Sequence, residues 1–232
     1  GLDFVLITLP ANHSALLGRL LKASHGVPYG LDYMDPWVPY VQRQFPVHSK
    51  HHWVRKLAPT LERWAVRDAS LLTAVSKETL TGVLDRNPAL AARVVTADMA
   101  LGNSAAEYAA VADEPEMLFL FDPRDGKFHL VYAGGMTAII AETLDVLLKA
   151  LVVIRQCHPA IAERLRLHFV GTGTSPSDPQ GFNVKPHADA YGLGDMVDEH
   201  PHRIGFVDVL RHLKQSSAVL VLGSMEAHYT PS

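Results

Sequence analysis

Residues 128–174 constrain this 232-residue chain most strongly: an apolar run, a glycine pair, a helical pattern, then a second apolar run ending in glycines. Phe128-His-Leu-Val-Tyr-Ala133 is short and β-prone, the composition of a buried parallel strand. Gly134-Gly135-Met-Thr137 turns the chain tightly and leaves main-chain N–H groups unshielded by a Cβ. Residues 138–155 place Ile140, Leu144, Leu147, Leu148 and Leu151 on one helical face, with Glu142, Asp145 and Lys149 opposite. Leu167-His-Phe-Val170 reads as the next strand and Gly171-Thr-Gly-Thr174 as the next glycine turn. Strand, glycine turn, helix and strand make a βαβ unit, whose helix N-terminus suits an anion, most often a phosphate.

The same alternation runs through the earlier part of the chain. Strands are expected at residues 4–8, 29–33, 71–74 and 94–96, and helices at 14–22, 51–66 and 77–84, the last capped by Ser76. Pro59 is expected to break or kink the second helix. The strand at 29–33 delivers Asp32 and Asp35 into a loop before Pro36-Trp37, and polar groups in parallel sheets collect at such carboxyl ends. Turn formers and acids concentrate around residues 112–127, which predicts a boundary there. The expected organisation is an α/β domain at 1–112, a linker at 113–127 and a second α/β domain at 128–232. The second ends with a helix near 186–191, a strand at 197–200, a helix at 208–215 and a buried strand at 218–222. Two such domains would face each other across a cleft. Because the chain opens on a core strand and stops where a helix is expected, both the first domain and the end of the second read as incomplete.

A formal net charge of −3 and the absence of any strong basic run disfavour polynucleotide binding. No 18-residue uncharged apolar run is present, which leaves only peripheral membrane contact open. Cys157 is the sole cysteine, so an internal disulfide is impossible, and a reducing, cytoplasmic setting is expected. Of the thirteen histidines, His48, His51 and His52 crowd together, yet no carboxylate or cysteine completes a metal pattern. Ser49-Lys50 points to an exposed loop there, and His202 and His212 are expected at the surface. Ser224 lacks the glycine-x-Ser-x-glycine elbow of a serine hydrolase.

Several pieces in order carry a resemblance: Leu31-Asp-Tyr-Met-Asp-Pro-Trp37, Leu72-Thr-Ala-Val-Ser76, Tyr132-Ala-Gly-Gly135, Phe169-Val-Gly-Thr172, Arg203-Ile-Gly-Phe206 and Leu222-Gly-Ser-Met-Glu-Ala-His-Tyr-Thr-Pro-Ser232. Together they resemble a GT-B glycosyltransferase of the family-four type, over nearly the whole chain but as a partial enzyme. The resemblance implies two Rossmann-like domains and transfer of a sugar from a nucleotide-diphosphate donor to a hydroxyl acceptor with retention. It implies no metal and no cofactor besides the donor. Gly134 and Gly135 match the turn beneath the donor diphosphate, and Gly171 and Gly173 a second turn near the nucleotide. Arg203 and Ile204 match the segment beside the base. Glu226 matches a carboxylate holding sugar or ribose hydroxyls, and Tyr229 and Ser232 the start of a helix facing the diphosphate. Asp35 stands where many relatives carry a histidine near the reacting carbon, and a carboxylate there could accept the acceptor's proton or stabilise cationic charge.

One departure stands out. Relatives commonly place an Arg and a Lys soon after the first glycine turn, and residues 136–143 contain neither. Lys185 and Arg203 are the substitutes the sequence offers. The alternatives are a non-catalytic nucleotide-binding module of the same fold and a nucleotide-sugar epimerase.

Overall fold

The computed structural model describes residues 1–39, 45–102, 104–111, 119–173 and 184–224. The chain divides into two compact units, residues 1–102 and, among the described residues, 104–224. Each is α/β with a parallel sheet.

In the first unit the elements run β1 (Val5–Thr8), α1 (Leu16–His25), β2 (Tyr29–Tyr33), α2 (Lys50–Val66), β3 (Leu71–Ala74), α3 (Lys77–Arg86), α4 (Pro88–Ala91) and β4 (Val95–Asp98). The sheet order β1-β2-β3-β4 follows the chain, and every pair is parallel. Position in that order decides burial. β2 is central, and Tyr29, Leu31 and Tyr33 are wholly buried. Among the described residues β1 and β4 each have a strand on one side only, and Phe4, Leu6 and Val95 are exposed where the apolar sequence predicted a buried first strand.

Helix starts obey local chemistry. Ser76 accepts a hydrogen bond from Thr79 N–H at the start of α3, as its sequence predicts. Ser49 does the same for His52 N–H, so Ser49 and Lys50 open α2 and do not form the expected loop. His48 therefore precedes the cap, and the pair His48 and His52 does not share a helical face. α2 also runs unbroken through Pro59. Pro59 is exposed, where water can meet the carbonyl it leaves unpaired, while Ala58, Glu62, Ala65 and Val66 bury the other side.

Glu62 on α2 is 1% exposed and accepts two hydrogen bonds from the Arg86 guanidinium, at 2.8 and 3.0 Å. Burial raises its carboxyl pKa, and Arg86 pulls it back down. Removing this carboxylate takes the ion pair away from a cation that is only a quarter exposed. We expect Glu62→Ala to cost about 2 kcal/mol in urea unfolding, below the usual loss for a wholly buried pair. Glu62→Gln, which keeps one acceptor, is expected to lose less.

The second unit contains α5 (Ala105–Ala110), β5 (Phe128–Ala133), α6 (Ala141–Cys157), α7 (Pro159–Arg164), β6 (Leu165–Val170), α8 (Val184–Ala190), β7 (Val197–His200), α9 (Phe206–Gln215) and β8 (Ala218–Val219). Its sheet order is β7-β6-β5-β8, again parallel throughout. β5 and β6 are central, and Val131, Leu167 and Phe169 are buried between the layers. α6 packs through Leu144, Leu148 and Leu151, the face its spacing predicts. β8 is shorter than predicted and exposed, because β5 is its only strand neighbour among the described residues.

His212 corrects another expectation. It is 2% exposed, with Nδ1 donating to the Asp208 carbonyl at 2.6 Å and Nε2 accepting from Leu120 N–H at 3.1 Å. With both nitrogens satisfied, an imidazole can be buried at little cost.

Candidate functional site

The carboxyl ends of β5, β6 and β7 lie along one edge of the second sheet. There the two glycine turns continue the sheet's hydrogen bonding beyond the strands. Gly134 N–H donates to Val170 O at 2.9 Å and Met136 N–H to Thr172 O at 2.8 Å. Gly171 N–H donates to His200 O at 2.8 Å and Gly173 N–H to Pro201 O at 3.0 Å. Three successive loops are thereby held in register. Gly134 (φ +151°) and Gly171 (φ +72°) adopt backbone conformations that side-chain-bearing residues avoid, which is the physical reason for glycine at these two positions.

This geometry redistributes the roles of the glycines. The N–H groups of Gly134, Gly171 and Gly173 are spent on the ladder. Gly135 N–H has no partner among the described residues, and a Cβ built there meets nothing within 4 Å. Gly135 is the open point of the edge. Its carbonyl is fixed by the Tyr132 hydroxyl, which donates to it at 3.2 Å.

A 3-10 turn, Ala138–Ile140, separates the glycine turn from α6, so the helix begins three residues later than its sequence pattern predicts. No side chain caps the first turn of α6, and Glu142 sits within it. Ser224 donates to Ile139 O at 3.0 Å, tying the segment after β8 to the same turn.

Polar support lies one layer behind the edge. Thr172 is fully buried and its hydroxyl donates to Glu199 Oε1 at 2.6 Å. Glu199 Oε2 accepts Lys185 N–H at 2.8 Å. The Lys185 ammonium donates to the carbonyls of Gly194 and of Val197, the latter at 2.9 Å, and lies 3.7 Å from Asp189. Lys185 is therefore engaged in holding α8 against β7. Arg203 is exposed, and its Cα is 3.9 Å from a Cβ built on Gly171, which places this cation beside the second turn. Ile204 turns inward against the Phe121, Val131 and Val170 cluster. The supporting contacts of Thr172, Glu199 and Tyr132 were not readable in the sequence, since each depends on partners that the fold brings to it.

In the first unit Asp35 is exposed in the bend after β2. Asp32 is half-buried and accepts a hydrogen bond from Thr73 Oγ1 at 2.6 Å, a cross-strand role. Glu226, Tyr229 and Ser232 lie outside the described residues. Among the described residues no three His, Cys, Asp or Glu side chains gather as a metal site, and no helix is long and apolar enough to cross a membrane.

No family model and no curated protein matches this sequence. Solved structures do match. A UDP-forming α,α-trehalose-phosphate synthase from Burkholderia xenovorans aligns over 96% of this chain and 53% of its own, with a TM-score of 0.67 and 12% identity. A structure described as trehalose-6-phosphate from E. coli bound with UDP-2-fluoro glucose aligns over 97% of this chain and 53% of its own (TM-score 0.64, 12% identity). A trehalose-6-phosphate synthase studied with bisubstrate glycomimetics gives a TM-score of 0.64 at 16% identity, over 97% and 53%. The chain thus has the α/β fold of GT-B glycosyltransferases over nearly all its residues and spans about half the length of the structures it matches.

Proposed function

We propose that this chain carries the donor site of a sugar-transferring enzyme, in which the carboxyl edge of the second sheet holds a nucleotide diphosphate. The observation that supports this reading best is the pair of glycine turns locked into one ladder, with Gly135 open and Arg203 beside them. Ligands of open parallel sheets bind at that edge. In this reading Gly135 N–H meets a diphosphate oxygen, Arg203 offsets its charge, and main-chain groups around Ile204 sit beside the base. Gly134, Gly171 and Gly173 shape the floor. Glu226 would hold sugar or ribose hydroxyls, and Tyr229 and Ser232 would start a helix toward the diphosphate.

The proposed transfer breaks the bond between the anomeric carbon and the diphosphate oxygen and forms a bond from that carbon to the acceptor hydroxyl oxygen, with retention. The hydroxyl's proton leaves toward the departing diphosphate. We propose that no metal takes part. Calorimetric titration with UDP, GDP and ADP, each with and without Mg²⁺, tests the site: one nucleotide is expected to bind saturably and without a requirement for metal. Absence of saturable binding contradicts it.

A second reading, a nucleotide-binding module without catalysis, is favoured by one observation. Residues 136–143 hold no cation, and Lys185 is committed to carbonyls and Asp189. Release of nucleotide diphosphate from a sugar nucleotide in the presence of hydroxyl acceptors separates the two.

A further inference from the structure

A cavity of about 560 Å³ lies in the first unit, at the amino ends of β3 and β4, between the end of α2 and the α3–α4 junction. It is therefore at the sheet edge opposite Asp35, which follows the carboxyl end of β2. Five arginines, Arg19, Arg63, Arg67, Arg86 and Arg93, line it.

Two of the five are neutralised. Arg86 is held by Glu62. Arg19 pairs with Asp68 at 3.2 Å and lies 4.5 Å from the centre of the Trp64 ring. The other three have no carboxylate partner among the described residues. Arg93 donates to the backbone carbonyl of Arg67, which ties its guanidinium to the residue just beyond α2. Arg63 and Arg67 are exposed on α2 and just beyond its end. Cations brought together repel one another, and a singly charged anion would leave two of these three uncompensated. Guanidinium forks match the paired oxygens of phosphate. The cavity is larger than a bare phosphate requires, and buried Val66 and Leu90 form an apolar wall for an attached body.

We propose that this cavity binds a multiply charged, phosphorylated small molecule, its phosphoryl oxygens on Arg63, Arg67 and Arg93 and its body against Val66 and Leu90. The site is independent of the nucleotide edge proposed above, since it is built wholly from residues of the first unit.

Calorimetry of the full chain with inorganic pyrophosphate, at ionic strength held constant with sodium chloride, tests this. Three proteins are compared: the unmodified chain, Arg63→Gln/Arg67→Gln, and Gly135→Val. Both arginines are exposed, and circular dichroism checks that the double variant folds. Saturable binding that weakens at least about tenfold in the double variant, and persists in Gly135→Val, is the expected result. Binding lost in Gly135→Val but unchanged in Arg63→Gln/Arg67→Gln assigns pyrophosphate to the nucleotide edge and overturns the proposal, as does no binding at all. Citrate is the companion probe, a polyanion without phosphorus. Citrate binding tighter than pyrophosphate binding would overturn the phosphoryl assignment.

Discussion

Gly18→Ala is expected to lower the unfolding free energy by about 3 kcal/mol, although alanine within a helix ordinarily gains up to about 1 kcal/mol over glycine. The reason lies across the α1–β2 contact. A Cβ on Gly18 falls 2.3 Å from Tyr29 Cδ2, with Cε2 at 2.7 Å and Cγ at 2.8 Å. Tyr29 has no room to retreat. Its ring is fully buried and its hydroxyl donates to Ala65 O at 2.5 Å, bracing β2 against α2. The methyl group must therefore push α1 off the sheet or break the hydroxyl's bond. Urea unfolding checks this, with Gly102→Ala as a control at a non-helical glycine where a Cβ meets nothing within 4 Å. A Gly18→Ala protein as stable as the control would contradict the packing described.

Acid is expected to weaken the second unit before it titrates ordinary carboxylates. His168 on β6 is 3% exposed, stacked on Phe121 at 4.5 Å, with Nε2 2.9 Å from His129 Nδ1. His129 Nε2 lies 2.9 Å from Asp125 Oδ1. Burial pushes the His168 imidazole down to about 4, with Asp198 opposing and His129, His200 and His212 assisting. The unfolded chain takes up this proton near pH 6.5 and the folded chain only near pH 4, so the folded state binds fewer protons between those values. Stability is full above pH 6.5 and falls as pH drops toward 4, by about 3 kcal/mol in total. His200 on β7 is shifted in the same direction by burial and adds to the slope. Asp125 acts in a lower window. Burial would raise its pKa, but hydrogen bonds from Lys127 N–H and His129 prevail and hold it near 2, so its contribution is lost only below its ordinary 3.8. Urea midpoints measured from pH 7.5 to 4.5 read the first window. A flattened slope in His168→Gln is the expected signature, and a slope unchanged by that substitution would contradict the assignment.

The order of strands and helices was legible because buried parallel strands and one-sided helices leave different periodicities. β2, β3 and the Ser76 cap fall where the sequence places them, since each depends on neighbours in the chain. Edges were not legible. Val5-Leu-Ile-Thr8 reads like a core strand, and only its rank in the sheet exposes alternate residues. The same holds at β8. At the site, Gly134 and Gly171 were legible as turn glycines, whereas the destination of their N–H groups depends on Val170 and His200, which only folding brings near. His212 looked like a surface residue because its partners, Leu120 N–H and the Asp208 carbonyl, are backbone groups without a sequence signature. The arginine cavity draws on residues from 19 to 93, so no local motif announces it.

The open glycine of the second sheet's edge is the proposed diphosphate contact, and Gly135 allows a direct test. Its backbone is not in the left-handed region and a Cβ there meets open space, so Gly135→Val is expected to fold with unchanged stability. The β-branched side chain would occupy the space that the diphosphate needs. Titration of the nucleotide that binds the unmodified chain against Gly135→Val is therefore the measurement to make. Loss of binding in a folded variant is the predicted result. Unchanged affinity would place the nucleotide elsewhere and contradict the site.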